Sequence, residues 1–466
     1  MFGRRVIQTD VAEIDESNVQ EVLSWAMATH AINRSDIEYL YSYYKGKQPI
    51  LDRIKQVRPE INNKIVENRA NEIVSFKTGY LMGEPLQYVA RGNSGASEVM
   101  TLNEYTFAEE KASKDKELAD WFHICGTAYR MILPDPLGEE DESPFELYTL
   151  DPRSTFVIYS NALGKRPVMG VRYVRDNMGL TTYTCYTRNR FFEISDKGGL
   201  IRSGYHILGE VPIIEYPLNM ARLGAFEIVL PLLDAINLAE SDALNNIDQI
   251  VQALLLFHNT DISDEDFQNL REQGAIKFKD IDPQTKAEIK YITCMLNSGE
   301  TEQVINNLYE SVLTICGMPN RNGGSSTSDT GAAVIMRDGW SAAEARAKDT
   351  ELMFKKSERK MLKILINICQ TYEGMNLKVR DIEIRFTRRN YENILQKAQV
   401  LDLMLKNEKI APKLAFEHCG MFADPGLAYS ISEQYYRQEV ALSGTNNAVS
   451  GNDQTDRADT QTRVSS

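Results

Sequence analysis

Residues 43–85 decide the fold of this chain, and they read YYKGKQPILDRIKQVRPEINNKIVENRANEIVSFKTGYLMGEP. From Ile65 to Val74, apolar residues recur at the spacing of one helix face. Proline is frequent at a helix start, as at Pro59, and glycine is frequent at a helix end, as at Gly83. The stretch therefore predicts a helix that begins soon after Pro59 and ends near Gly83.

Composition limits the function classes that need to be considered. The 466 residues carry a formal net charge of −14 at pH 7. An acidic balance argues against tight wrapping of nucleic acid through its phosphates, but it allows a protein past which DNA slides. No apolar run approaches the ~20 residues that cross a bilayer, and the N-terminus lacks the apolar core of a secretory signal. We expect a protein without membrane spans.

The hydrophobic period changes from helical to strand-like and back along the first 217 residues. The first twenty residues are polar and are predicted to be flexible. Residues 21–44 and 96–126 have helical patterns, and 86–89 is a short strand candidate. Between residues 127 and 217, seven β-branched and aromatic runs predict an antiparallel sheet. These runs are 129–133, 145–150, 155–159, 168–174, 181–187, 190–194 and 211–216.

Long amphipathic helices dominate the second half. In order, the patterns predict a long helix at 226–257, a small α/β insert at 261–297 with strands at 275–279 and 288–293, a helix from about 300 to 317, a Gly/Ser loop at 320–331, a very long helix at 332–372, a strand at 382–386, and helices at 391–407, 412–419 and 430–440. The Ser/Thr/Asn-rich tail at 443–466 is predicted to be disordered.

Two features of this half are candidates for a functional surface. The helix at 226–257 carries a polar stripe, which predicts either a solvated face or a channel-facing one; its candidate residues are Asp234, Ser241, Asn245 and Asp248. The Gly/Ser loop allows three interpretations: a surface connector, a loop whose amides cradle phosphate, or a mobile loop beside a moving polymer. Its candidate residues are Asn320, Asn322, Gly323, Gly324, Ser325, Ser326, Thr327, Ser328 and Asp329.

Catalytic and metal-binding motifs are missing from the sequence. There is no Walker phosphate loop, no Gly-x-Gly-x-x-Gly after a strand and no His-Glu-x-x-His. The His/Cys neighbours, His123 with Cys125 and His418 with Cys419, supply two ligands each, which is too few for a closed zinc site. The sequence predicts no enzymatic activity, no cofactor and no metal.

The chain resembles the SPP1-type portal protein family of tailed phages over most of residues 39–436. The resemblance rests on residues 43–85, on residues 148–159 with Leu150-Asp151-Pro152-Arg153, on the order of elements after residue 226, and on the GAAVIM sequence at 331–336. It implies an α+β portal fold with long stem helices, a wing that contains an antiparallel sheet, a small α/β clip and a helical crown.

Domain boundaries follow from this resemblance. It implies a flexible N-terminus at 1–20, a wing at 21–225, a stem helix at 226–260, a clip at 261–297, a second stem helix at 298–319, a tunnel loop at 320–331, the long helix and return strand of the wing at 332–389, crown helices at 390–442 and a disordered tail at 443–466.

The resemblance also implies a function. Portals of this family form a ring of twelve at one capsid vertex, nucleate head assembly, and pass double-stranded DNA during packaging and ejection. Their partners are terminase, scaffold and major capsid proteins, and head–tail connector proteins; before assembly the subunit is in the host cytoplasm. Two alternatives stay open from the residues alone. One is a helical adaptor or scaffold that does not contact DNA, and the other is a nucleic-acid-processing enzyme.

Overall fold

A computed structural model describes most of the chain. The described residues are 3–56, 58–91, 95–135, 143–251, 254–258, 260–261, 263, 265, 268, 279–280, 288–292, 298–320, 339–387, 394–422, 425–426 and 428–438. Within them, no helix combines the length and the apolarity that a bilayer crossing requires.

The helices and strands alternate in blocks along the chain. The helices are α1 (Val19–Tyr44), α2 (Arg69–Met82), α3 (Ala96–Ala108), α4 (Lys111–Cys125), α5 (Leu230–Val251), α6 (Ser298–Cys316), α7 (Trp340–Glu373), α8 (Ile394–Leu405) and α9 (Pro412–His418), with a further helical stretch at 428–438. The strands are β1 (Ile7–Thr9), β2 (Gln87–Ala90), β3 (Thr127–Pro134), β4 (Phe145–Leu150), β5 (Thr155–Ser160), β6 (Pro167–Arg175), β7 (Thr181–Tyr186), β8 (Arg190–Ser195), β9 (Gly199–Tyr205), β10 (Ile213–Pro217), β11 (Leu254–His258), β12 (Thr260–Asp261), β13 (Lys279–Asp280), β14 (Glu288–Ile292) and β15 (Ile382–Arg385).

The strands form two larger sheets and three pairs. The six-stranded sheet has the order β1-β5-β6-β7-β8-β9, and the three-stranded sheet has the order β10-β3-β4. All ladders are antiparallel except that of β1 with β5, which is parallel. The pairs are β11 with β14, β12 with β13, and β15 with β2.

Helices α1 and α7 and the two larger sheets form four layers, as the alternating sides of the strand residues show. Phe156 and Ile158 of β5 share a core with α1, whereas Val157 between them packs with Met131 of β3. The next residue of β3, Ile132, is in a third core with α7. Since successive side chains of a strand point to opposite faces, the order of layers is α1, the six-stranded sheet, the three-stranded sheet and α7.

A buried polar cluster fixes α7 on the three-stranded sheet. The Glu358 carboxylate accepts hydrogen bonds from the hydroxyls of Tyr88, at 2.6 Å, and Tyr216, at 2.7 Å. The Lys111 ammonium lies 2.7 Å from Glu358 and 2.6 Å from Asp115. Burial of charges is favourable only when their hydrogen bonds are satisfied, so this cluster specifies how α7 packs.

The strand predictions for residues 127–217 are confirmed. All seven predicted runs are strands, and each bound lies within two residues of the predicted one. The patterns missed β9, which has exposed and half-buried positions and little apolar alternation. The α+β class is confirmed.

The predicted flexible N-terminus is packed from residue 3 onward. Arg4 is 4% exposed and lies 2.6 Å from Glu227, which is also buried. β1 pairs in parallel with β5, and Ile14 is buried. The prediction from polarity was wrong because the buried Arg4 is paired with Glu227 and β1 pairs with β5, while the other charged side chains of the segment stay exposed or half-buried.

Two helix predictions are wrong at one end each. Residues 62–68 are not helical, and α2 begins at Arg69, where the Asn68 side chain accepts a hydrogen bond from the Asn71 amide. The helix predicted to reach residue 257 ends at Val251, and Leu254–His258 is a strand. A short apolar run fits helix and strand alike, and pairing with β14 decides for the strand. Most of the predicted 275–279 strand, the GAAVIM residues and the tail lie outside the described residues.

Candidate functional site

Helices α5 and α6 form an antiparallel pair that leads to the Gly/Ser loop. They are joined through the antiparallel ladder of β11 and β14. Leu233 and Ile236 of α5 share a core with Val312 of α6. Toward the ladder, apolar side chains become exposed: Ile247 is 49% and Val304 is 53% accessible. The pair is therefore anchored at its loop end and less covered at its other end.

The polar stripe of α5 faces residues 61–67, which we call the strap. The Glu67 amide donates to Asn237 Oδ1 at 2.8 Å, and the Ile65 amide donates to Ser241 Oγ at 2.9 Å. The Asn63 amide donates to Asn245 Oδ1 at 2.7 Å.

The strap and the helix fit because their repeats match. Every second amide of an extended chain points the same way, and two residues advance by about 6.6 Å. Four residues of a helix advance by about 6.0 Å. Three side chains at intervals of four residues on α5 can therefore satisfy three alternate amides of the strap. Backbone amides that are buried away from water need such partners.

Further bonds hold the flanks of this contact. The Tyr43 hydroxyl donates to Asp234 at 2.8 Å, and burial raises the pKa of Tyr43. The Arg53 guanidinium lies 2.7 Å from Asp242. The Asn63 side-chain amide donates to Asp248. Residues 63–67 of the strap thus run antiparallel to α5 and contact it between Asn237 and Asp248.

The four candidate residues of the α5 stripe therefore have partners within one subunit. Ser241 and Asn245 are 0% and 1% exposed, and Asp234 and Asp248 are half-buried. That these residues line a channel stays a prediction, and at Ser241 and Asn245 the geometry gives it no support.

The outward face of α6 is a second polar surface, and its residues are not among the candidates predicted from the sequence. Glu302, Asn306, Glu310 and Thr314 are exposed and recur every fourth residue, so they form one stripe. Helix α5 contains four carboxylate residues, helix α6 contains three, and neither contains a lysine, arginine or histidine. The carboxylates of such a surface repel phosphate groups, and its amide and hydroxyl groups bind them weakly.

The segment that contains the Gly/Ser loop leaves the described part of the fold at Asn320 and returns to it at Gly339. Gly317 ends α6 with φ +64°, and Gly339 precedes α7 with φ +82°. A Cβ built on Gly339 would lie 3.6 Å from the carbonyl oxygen of Met318. The two ends of the 320–338 segment are therefore neighbours. Of the candidate loop residues, Asn320 is half-buried, and residues 322–329 lie outside the described residues.

Lys77 of α2 contacts the C-terminal end of α6, just before the segment that contains the Gly/Ser loop. Its ammonium donates to the Cys316 carbonyl at 2.7 Å, and burial lowers the pKa of Lys77. A cation at the last carbonyls of a helix interacts favourably with the helix dipole. Lys77 and Cys316 border a cavity of about 380 Å³ that Tyr80, His123 and Arg346 also line. Burial lowers the pKa of His123 to about 3, so its ring is neutral.

The strap could have been found from two sequence signals. The NNKIVEN stretch contains asparagines, which are poor inside a helix and good at its cap. Asn237, Ser241 and Asn245 recur every fourth residue on a helix that is otherwise apolar at many positions. Among the described residues, no group of three or more His, Cys, Asp or Glu side chains is placed to hold a metal ion.

Comparison with known proteins gives one family. A family model described as "Phage portal protein, SPP1 Gp6-like" matches residues 24–440. Among solved structures, a chain from "Neck of empty GTA particle computed with C6 symmetry" aligns at 12% identity with a TM-score of 0.43, covering 76% of this chain and 90% of that chain. A search of curated proteins found no significant match.

Proposed function

The chain belongs to the SPP1 Gp6-like family of phage portal proteins, and we propose that it is the subunit of a ring-shaped DNA channel at one capsid vertex. The family match over residues 24–440 carries this proposal. The ring, of twelve copies as in the family, would serve head assembly, genome packaging and DNA ejection. The subunit itself would be non-enzymatic, without a cofactor, and terminase would hydrolyse the ATP.

We assign the passage to the Gly/Ser loop and to the outward stripe of α6. Without nearby cations, carboxylates repel phosphates and amides bind them weakly, so DNA can slide. Lysine or arginine at the same positions would release counterions and bind the duplex. Because Met318 and Gly339 are neighbours, the segment between them can project from the subunit and return to the same place. Asn320 and residues 322–329 are the proposed DNA contacts of this loop.

The other segments take the roles that the family implies. Residues 21–225 and 332–389 would form the wing, and α5 and α6 the stem. Residues 261–297 would form the clip that meets terminase and later the head–tail connector proteins. The helices between residues 390 and 442 would form the crown. Scaffold and major capsid proteins would contact the wing during head assembly, at the capsid vertex.

A loop deletion tests the proposal. Removing Gly323–Ser328 should leave rings with a central hole in negative-stain images, because the loop ends lie side by side and can be closed by a shorter link. Heads assembled with this variant should contain much less DNase-protected DNA. The control is a deletion of the same length in the tail, residues 451–456, which should leave packaging unchanged.

The outcomes separate the alternatives. Rings that fill heads equally well with and without Gly323–Ser328 would favour an adaptor that does not contact DNA. Monomers at micromolar concentration and moderate salt would contradict the ring itself.

A further inference from the structure

Helix α1 carries an apolar stripe that the subunit leaves uncovered. Trp25 is 75% exposed, Ile32 is 43% exposed and Tyr39 is 38% exposed. With Ala28 they follow helical spacing along one face, and Glu21 precedes them at the same spacing. Exposed tryptophan, isoleucine and tyrosine in one row are typical of an interaction surface. We call this row the α1 stripe.

Helix α7 carries a basic stripe of similar length. Leu352 is 69% exposed, and the exposed Lys348, Lys356, Arg359 and Lys363 extend along the same face. Lys363 pairs with Glu210 and Lys348 with Glu344. We call this row the α7 stripe.

Two cations of the α7 stripe are available for a partner. Lys356 and Arg359 make no hydrogen bond or ion pair with any residue in the described part of the chain. They are exposed in a protein whose net charge is −14. An acidic partner would therefore gain two charge-assisted contacts there.

The two stripes lie on opposite sides of the subunit. The N-terminal half of α1 covers the outer face of the six-stranded sheet and its C-terminal half packs with α2 and α5, whereas α7 covers the outer face of the three-stranded sheet. The two sheets pack on each other through Val157, Met131 and Ile213. A contact between different surfaces on opposite sides of one subunit is what a ring of identical copies requires, because each copy presents one surface to each neighbour.

We propose that the α1 stripe of one subunit packs against the α7 stripe of the next copy of this chain. The inference rests on the proposed ring and names the surfaces that close it. Trp25 and Ile32 would lose their water contact against Leu352 and the alkyl parts of the lysines. Glu21 and the half-buried Asp36 of α1 would face the cations of α7.

Charge and helix length favour the α7 stripe of another copy as the partner of the α1 stripe. The α1 stripe is flanked by carboxylates and the α7 stripe by ammonium and guanidinium groups, so two α1 stripes would bring like charges together and so would two α7 stripes. Helices of 26 and 34 residues are about 39 Å and 51 Å long. Each is therefore long enough to extend along the other over a full subunit contact.

Two variants with one defective surface each test the inference. Trp25→Gln with Ile32→Gln disables the α1 stripe without placing new carboxylates opposite the cations of α7, and Leu352→Glu with Lys356→Glu disables the α7 stripe. All four side chains are exposed in the single subunit, so the thermal unfolding of the monomer should stay unchanged. Each variant should need at least about 30-fold more protein to assemble than wild type, the loss expected at the centre of an interface.

Mixing the two variants gives the decisive measurement. Each retains the surface that the other lacks, so an equimolar mixture should form a one-to-one heterodimer in mass photometry and stop there. The control, Met178→Glu with Leu163→Glu, changes side chains that are 91% and 104% exposed away from both stripes and should still form rings.

The result also separates this inference from the proposed function. Wild-type rings together with rings from either stripe variant would overturn the pairing of the stripes and leave the portal function intact. Two non-assembling variants whose mixture stays monomeric would also overturn it. A wild-type protein that never assembles would contradict the proposed function.

Discussion

The contact between the strap and α5 makes a quantitative prediction for Ser241→Ala. Ser241 Oγ accepts from the Ile65 amide and donates to the Asn237 carbonyl at 2.6 Å. On α6, Ser311 makes the same kind of bond to the carbonyl four residues earlier, at 2.9 Å, but it is exposed and accepts nothing from a strap. Ser311→Ala is therefore a matched control.

The expected cost follows from the amide that is left behind. Replacing Ser241 by alanine buries the Ile65 N–H without an acceptor, which costs about 1–3 kcal/mol. Alanine has a better helix propensity than serine and returns about 0.5 kcal/mol. We expect a net loss of about 0.5–2.5 kcal/mol in the free energy of opening the strap. Ser311→Ala should change stability by no more than about 0.5 kcal/mol, with stabilisation the expected sign.

Native-state hydrogen exchange measures this loss where it occurs. A peptide that covers residues 61–68 reports the Asn63, Ile65 and Glu67 amides. In Ser241→Ala, its protected amides should exchange about 2–70-fold faster, the ratio that corresponds to about 0.5–2.5 kcal/mol. Equal exchange of this peptide in wild type, Ser241→Ala and Ser311→Ala would refute the claim that α5 side chains hold the strap.

Two further predictions concern buried histidine and helix-terminal glycine. Burial lowers the pKa of His123 to about 3. Below about pH 6.5 the unfolded chain therefore binds a proton at this residue that the folded chain does not bind. The free energy of unfolding falls as a result by up to about 1.4 kcal/mol per pH unit as the pH falls toward 3. His123→Gln should reduce the slope of the urea-unfolding free energy between about pH 6 and pH 4 by this amount, and an unchanged slope would count against a neutral buried ring. At Gly126, φ is +81° and a Cβ would lie 2.0 Å from the Arg222 carbonyl oxygen, whereas at Gly374, φ is +70° and nothing lies within 4 Å. Gly126→Ala should therefore cost well above the about 1–2 kcal/mol expected from conformation alone for Gly374→Ala, and similar losses in urea unfolding would contradict the close approach at Gly126.

Patterns in the sequence predicted local structure best where the period was long or regularly repeated. The seven strand runs between residues 127 and 217 alternate clearly, and all were found. Helix α1 was predicted to begin at residue 21 and begins at Val19. The family was also identified from the sequence, since the wording of residues 43–85 and the order of elements after residue 226 are specific in combination.

Sequence patterns failed where a segment's hydrogen bonds go to a distant part of the chain. Ile65 and Val66 fit the apolar face of a helix, but the Ile65 amide is bound to Ser241, 176 residues away. Leu254–His258 fits the end of a long helix, but its backbone is bound to β14. Arg4 is in a polar segment, but its charge is neutralised by Glu227. In each case the partner is invisible to a local window.

The sequence by itself determined the α+β class, the family and the order of elements, because these depend on periodicity and on local wording. Only the tertiary structure decided which faces of those elements are free. It covered the polar stripe of α5 with the strap, left the stripe of α6 open, and placed the uncovered stripes of α1 and α7 on opposite sides of two packed sheets. The physical reason is that the pattern of a polar or apolar face indicates only that the face needs a partner. Long-range hydrogen bonding and the packing of layers determine which part of the chain, or which other molecule, covers that face.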